Sequence, residues 1–200
     1  MKITKMGKSI KVADGLARLI LLVSIISLIA SLLIACGPEK PAPAPQEGTM
    51  KITSPVFQEG EAIPVRYSCD GENISPELNW SGAPEETLSF ALITDDPDAP
   101  GGTFTHWIIF NVQPDNRGLP EAVPGESQPD DGALQGENDF GNIGYDGPCP
   151  PRGARHHYHF TLYALDQNLD LPAGATKSQV LKAIQGHILA QAELVATFQR

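Results

Sequence analysis

Four side chains in this 200-residue chain combine a type that can hold an anion or move a proton with a place at a strand end beside a stiff turn: Asp96, His106, His156 and Tyr158. Asp96 stands in the turn Asp95-Asp-Pro-Asp-Ala-Pro100, and His106 opens the run His106-Trp107-Ile-Ile-Phe-Asn111. His156 and Tyr158 end the stretch Tyr145-Asp-Gly-Pro-Cys-Pro-Pro-Arg-Gly-Ala-Arg-His-His-Tyr158. Pro and Gly stiffen the two turns, and a stiff turn holds an ionisable group still at a pocket mouth. An aspartate between two imidazoles favours their protonated forms, which makes them donors to a phosphate or carboxylate. Tyr158 adds a hydroxyl donor, and Arg152 or Arg155 adds charge at the rim. The expected chemistry is capture of a small phosphate-like monoanion, tighter at mildly acidic pH.

Strands must carry these residues, and strand alternation says which neighbours each one keeps. Phe90, Leu92, Thr94 and Asp96 share one face, so Asp96 ends an apolar row. The same parity puts His106 with Ile108 and Phe110, and His156 and Tyr158 with Phe160 and Leu162. Three strands would then each end in a polar group above an apolar layer.

The body of the chain from Met50 is short alternating runs broken by Pro and Gly, the pattern of antiparallel β structure. Strands are expected at Met50–Thr53, Ala62–Tyr67, Leu78–Trp80, Leu88–Thr94, Phe104–Asn111, His157–Leu165 and Glu193–Phe198. Their spacing predicts a Greek-key β-sandwich. One helix is expected near the end, capped by Thr176 or Ser178, with Val180, Leu181, Ile184 and Ile188 as its apolar stripe and Gly186 weakening its end. Residues 113–144 read as a long polar segment holding function or short strands. Two stretches within it, Gly132-Ala-Leu-Gln-Gly136 and Glu137-Asn-Asp-Phe-Gly141, are candidates for a pocket rim.

Several residues have plainer roles. Asp98 is expected to stabilise its turn through an Asx bond. His157 and His159 share the face opposite His156 and Tyr158, and His187 reads as a hydrogen-bonded packing residue. Trp80 and Trp107 read as core. Asp96, His106 and His156 have the chemistry of a zinc ligand set, but the Gly147–Pro151 turn supplies no second anchored pair, so no metal is assigned.

The Asp95–Pro100 turn, the His-Trp strand ending in Asn111, and Gly147-Pro-Cys-Pro-Pro-Arg-Gly153 followed by His156-His-Tyr-His-Phe-Thr-Leu-Tyr-Ala-Leu-Asp166 occur in one order. Together they resemble the phosphatidylethanolamine-binding protein family in its bacterial Raf-kinase-inhibitor-like branch, from about Met50 to Arg200. The resemblance implies a mainly β, antiparallel sandwich with a C-terminal helix, and an anion pocket lined by Asp96, His106, His156 and Tyr158 with Pro151 as a wall. It implies no cofactor and no dependence on metal. A further pocket tyrosine of the animal members has no counterpart here. Near the end, Leu194-Val-Ala196-Thr-Phe198 stands where bacterial relatives commonly have Leu-Val-Gly-Thr-Tyr.

The first 35 residues have another composition. Lys2, Lys5, Lys8, Lys11 and Arg18 precede an apolar run from Leu19 to Ala35, and Leu33-Ile-Ala-Cys36 looks like a lipoprotein signal-peptidase site. Residues 1–35 therefore read as an export signal and Cys36 as a cysteine to be lipidated. The alternative is an uncleaved anchor, since about 17 apolar residues just reach the lower limit for spanning a bilayer. Residues 36–49 form a Pro/Ala-rich tether and residues 50–200 the domain.

The whole chain is −10. Five basic residues against Asp14 make the first 35 positions +4, so the remainder carries −14. That excludes nucleic acid as the expected partner and leaves membrane contact to the acyl chains on Cys36. Cys69 and Cys149 are either one disulfide in an oxidising compartment or two small hydrophobes.

The function expected is a non-enzymatic, membrane-tethered module of the cell envelope, facing away from the cytoplasm and binding a phosphorylated or anionic small molecule. Two other readings stay open. One is a protein-interaction module inhibiting an extracytoplasmic protease or other enzyme. The other is an Asp/His acid–base hydrolase, since water-based hydrolysis needs no GxSxG elbow and none is present.

Overall fold

The computed structural model describes residues 50–129 and 132–200. The expected export signal, the lipidated Cys36 and the tether lie outside the described residues.

The central strands explain the architecture. β3 (Ser89–Asp96) and β4 (Phe104–Val112) are buried on both faces along most of their length. Their sequences are accordingly almost continuously apolar, as strands covered on both sides must be. They belong to a five-stranded antiparallel sheet of order β6-β4-β3-β7-β8, with β6 at Leu134–Gln135, β7 at Arg155–Leu165 and β8 at Ile188–Gln199. A three-stranded antiparallel sheet of order β1-β2-β5 lies against it, with β1 at Lys51–Thr53, β2 at Leu78–Ser81 and β5 at Gly118–Leu119.

One face of the large sheet presents Phe90, Leu92, Trp107, Phe160 and Leu162 to Ile52, Leu78 and Trp80 of the small sheet. The other face presents Ala91, Ile93, Ile108 and Phe110 to Val180 and Ile184 around the helix α1 (Lys177–Ala183). Each such buried side chain contributes roughly 1.5–3 kcal/mol by leaving water. The fold is thus a mainly β, antiparallel sandwich with one helix docked outside it.

Two sequence expectations change. Ala62–Tyr67 is not a strand: Ala62 makes a single parallel bridge to Thr197, and Val65–Tyr67 turn into a 3₁₀ helix. Pro64 explains this, because it has no N–H to continue a ladder. The long segment after Gln113 does hold short strands, β5 and β6, each two residues and too short for periodicity to locate. The helix stops at Ala183, so its apolar stripe ends at Ile184, and Ile188 opens β8. Gly186 sits between them at φ 81°, a conformation that suits glycine. Thr176 caps the helix start, its N–H donating to Gln179 Oε1 at 2.8 Å.

Candidate functional site

Asp96 closes β3 with its side chain buried, and both carboxylate oxygens are committed. Oδ2 accepts from His156 Nδ1 at 2.7 Å, and Oδ1 accepts the Asp98 N–H at 2.9 Å. The second bond is an Asx turn, which freezes the Pro97–Pro100 corner. The pair is 4% and 6% exposed at the Asp96 and His156 side chains, so little water competes for it. Parity places Asp96 with Phe90 and Leu92, and His156 and Tyr158 with Phe160 and Leu162, as the sequence implies.

His106 reaches the same place by another route. Thr94 pairs with Trp107 and Asp95 with Thr105, so His106 is an extra residue in β4, a β-bulge. Simple alternation would have sent it with Ile108 and Phe110 to the helix side. The bulge re-aims it to the inner face, where its ring meets Tyr158 edge-on with centroids 5.2 Å apart.

Asp96 therefore does not stand between two imidazoles as expected from the sequence. His106 Nδ1 donates instead to the Asp146 carbonyl at 2.7 Å. A carbonyl only accepts, so Nδ1 carries the proton and Nε2 of the neutral ring is an acceptor. Burial lowers the His106 pKa, outweighing the raising effects of the Asp146 carbonyl and the Asp96 charge. Tyr158 is held neutral as well, its ionisation pushed up by burial first and then by Asp96. Its hydroxyl is buried near the Asp96 carboxylate, which contributes to that rise, yet makes no hydrogen bond of full geometry.

Asp96, His106 and His156 line a pocket of about 150 Å³ with Pro100, Phe104 and Phe140, and with Cys149, Pro150 and Pro151 as one wall. Tyr158, expected in that lining, is instead fully buried next to it, its ring against His106. Its volume is room for about five waters at ~30 Å³ each, well below the ~300 Å³ of drug-sized sites. A larger hollow of about 460 Å³ lies at Trp80, Pro84, Pro114 and Arg117, but no cluster of buried ionisable groups converges there. The pocket lining contains no Lys or Arg; Arg152 and Arg155 are exposed and outside it. Among the described residues no three His, Cys, Asp or Glu side chains gather as a metal site.

The supporting residues were mostly invisible in the sequence. Asn138 is buried, accepts the Phe140 and Asn142 N–H groups on Oδ1, and donates to the Gly144 carbonyl and the Asp146 carboxylate. Asp146 also accepts from Asn73 and Asn142. Asp139 holds the bulge from outside, accepting the Thr105 N–H and donating its own N–H to the Thr105 carbonyl. The only sequence signals were that Asn138–Phe140 fall in a stretch marked for the rim, and Asp146 in the Tyr145–Tyr158 motif. Gly147 is needed because a Cβ there would collide with the Tyr67 carbonyl.

Other residues settle as follows. Asp98 makes no Asx bond of its own; its carboxylate accepts both the His157 N–H and Nδ1–H, at 2.9 and 2.7 Å. That bond holds the Asp98 pKa below the ordinary carboxylate value. His159 pairs with Glu193 and His187 with Asp166 at the surface. Trp80 and Trp107 are core. Ala196 and Phe198 lie directly across from Tyr158 and His156 in the β7–β8 ladder, so the departure near the end backs the site itself. Cys69 and Cys149 are joined as a disulfide, which leaves Cys149 no free thiol.

With this geometry in hand, the sequence profile of the family described as phosphatidylethanolamine-binding protein matches residues 53–199. The chain belongs to that family. A UPF0098 protein of Methanothermobacter thermautotrophicus is 53% identical over 151 residues, covering 76% of this chain and 99% of that protein. A Mycobacterium tuberculosis protein named LppC, a candidate lipoprotein, is 43% identical over 158 residues, covering 78% of this chain and 76% of its own length.

Two solved members share the fold. A phosphatidylethanolamine-binding-protein homologue from Chlamydia trachomatis superposes with a TM-score of 0.70 at 44% identity, covering 76% of this chain and 98% of that one. Escherichia coli YbcL, described as a member of the mammalian family, gives 0.71 at 34%, covering 76% and 99%.

Proposed function

We propose that this family member is a binding protein, not an enzyme, whose pocket captures a small phosphate-type group carrying a single negative charge. The observation that carries the reading is the cluster of two imidazoles and one carboxylate in the pocket lining, His106, His156 and Asp96, with the unpaired, buried Tyr158 hydroxyl packed next to it. An unpaired buried hydroxyl costs roughly 1–3 kcal/mol, a cost a ligand oxygen removes.

The charge state follows from the lining. Asp96 is present and no Lys or Arg offsets it, so a dianion would be repelled. A phosphomonoester monoanion presents acceptors to Tyr158 and one P–OH donor to His106 Nε2. The 150 Å³ volume suits a headgroup-sized fragment and excludes acyl chains. The family's name suggests a lipid headgroup as one source of that group; a soluble phosphomonoester is another.

The tether belongs to the same proposal. Cys36 following Leu33-Ile-Ala, with a Pro/Ala-rich segment after it, supports lipid anchoring outside the cytoplasm, and the name of the mycobacterial relative supports it independently.

Isothermal titration of the full-length protein with methyl phosphate, dimethyl phosphate and O-phosphorylethanolamine, from about pH 5.5 to about pH 8, tests the pocket. The range spans the second ionisation of a phosphomonoester near pH 6. Monoester affinity should rise as pH falls and should drop in Tyr158→Phe and His156→Ala. Equal affinity at every pH and in both variants would overturn the reading.

A further inference from the structure

Cys149 forms part of the pocket wall, and its disulfide partner Cys69 lies outside the lining. Cys69 is exposed, whereas Cys149 is half-buried between Pro148 and Pro150. The two sulfurs are therefore unequal targets: a nucleophile arriving from solvent meets Cys69 first.

Arg200 makes them unequal chemically as well. Its Nη1 donates to Cys149 Sγ at 3.4 Å. Asp70 grips the same guanidinium through two bonds of 3.0 and 2.8 Å, which fixes its direction. A guanidinium beside sulfur stabilises thiolate, and in thiol–disulfide exchange the better-stabilised thiolate is the better leaving group.

We infer that Cys69–Cys149 is a thiol–disulfide exchange site in which an external dithiol attacks Cys69, Cys149 departs as a thiolate held by Arg200, and the ligand pocket loses one wall. The substrate class is a dithiol of the thioredoxin type. Its first thiolate bonds to Cys69 Sγ while the Cys69–Cys149 bond breaks and its electron pair goes to Cys149. The second thiol then displaces Cys69, the reductant becomes a disulfide, and two electrons and two protons end on the cysteines.

What is freed is limited. The base of the wall stays attached to the opposite loop, by Gly147 N–H to Asn73 Oδ1, Cys69 N–H to the Pro148 carbonyl, and Asn73 to Asp146. The tip from Cys149 to Pro151 exchanges its covalent link for the non-covalent hold of Arg200 on the Cys149 sulfur and the Ala154 N–H bond to the Pro151 carbonyl, so the domain stays folded while the pocket loosens. This second half rests on the pocket reading above; the exchange itself does not.

The test uses the full-length oxidised protein and a thioredoxin-fold reductase whose resolving cysteine is replaced by serine, so that the mixed disulfide is trapped and mapped by peptide mass spectrometry. Trapping on Cys69 is expected. Reduction by dithiothreitol, followed by thiol alkylation, should slow about 3- to 10-fold in Arg200→Leu, because the Cys149 thiolate then leaves without a cation beside it. Arg200→Lys should restore much of the rate, and Asp70→Asn, which keeps the guanidinium, should not slow it.

Trapping on Cys149, an Arg200→Leu rate equal to wild type, or reduction seen only once near-ultraviolet circular dichroism is lost would each overturn the exchange site. Methyl phosphate affinity is expected to fall about fivefold or more on reduction, with saturating ligand shifting the dithiol–disulfide equilibrium toward the disulfide by the same factor. Equal affinity in both redox states overturns the coupling. No affinity in either state overturns the pocket reading and with it the coupling, and leaves the exchange site to stand on the trapping result.

Discussion

His106 and Asp146 hold each other through two reciprocal bonds: His106 Nδ1–H donates to the Asp146 carbonyl at 2.7 Å, and the Asp146 N–H donates to the His106 carbonyl at 3.0 Å. The bulge in β4 turns His106 inward, and this clasp sets which of its nitrogens carries the proton. The pocket therefore contains an imidazole whose protonation state is chosen by a backbone carbonyl and by burial.

That clasp has a consequence for stability against pH. The folded-state pKa of His106 is lowered from 6.5, so the unfolded chain takes up a proton there more readily than the folded one. The contribution is present in full above pH 6.5 and is lost as pH falls through the folded value. Urea unfolding across that range should show stability falling on acidification, with a shallower fall in His106→Gln. An equal slope in the two proteins would remove His106 as the cause.

Tyr158→Phe should separate stability from binding. Removing a buried hydroxyl that has no partner should leave folding stability unchanged or raise it by up to about 1 kcal/mol. Methyl phosphate affinity should fall about tenfold, the equivalent of ~1.4 kcal/mol. Thermal unfolding and calorimetry on the same variant check both halves.

Asn138→Ala should cost about 2–4 kcal/mol, because it strands the Phe140 and Asn142 N–H groups and one acceptor of Asp146. The His106 ring should also lose its single tautomer. Nitrogen-15 spectra of imidazole-labelled protein would show mixed tautomers in the variant and the Nδ1–H form in wild type.

Replacing both disulfide cysteines by serine opens a loop closed across 80 positions of sequence. Chain entropy puts the loss at about 4–5 kcal/mol in folding free energy. Denaturant unfolding of the double variant measures it, and a loss under about 1 kcal/mol would mean that the 67–73 and 145–149 segments stay associated in the unfolded chain.

Gly147→Ala should destabilise by about 2–3 kcal/mol, since the added methyl meets the Tyr67 carbonyl at the base of the pocket wall. Denaturant midpoints check it, and the companion change Gly153→Ala, where nothing crowds a Cβ but φ is 88°, gives the cost of backbone strain alone.

Alternation was enough to read six of the seven expected strands, and to group Asp96 with Phe90 and Leu92, because those segments run straight and side chains on a straight strand repeat every two residues. It failed at His106 and at Ala62–Tyr67. A bulge breaks the period, and a bulge is created by what packs around the strand, here Asp139, Asn138 and Asp146 from 32 to 40 residues away. The 3₁₀ turn after Pro64 is a local event, but its signal was outweighed by the apolar residues on either side.

Six strands, the helix, the family and the nearness of Asp96 to His156 and Tyr158 were legible along the chain, since these follow from periodicity, turn chemistry and motifs. Tertiary structure alone decided the states of these side chains. It paired Asp96 with His156 and not with His106, gave His106 to a carbonyl, left Tyr158 without a partner, and set an exposed Cys69 against a Cys149 touched by Arg200. The physical reason is that protonation, tautomer and sulfur reactivity depend on distances of a few ångströms between groups far apart in sequence, and on how much water is excluded around them.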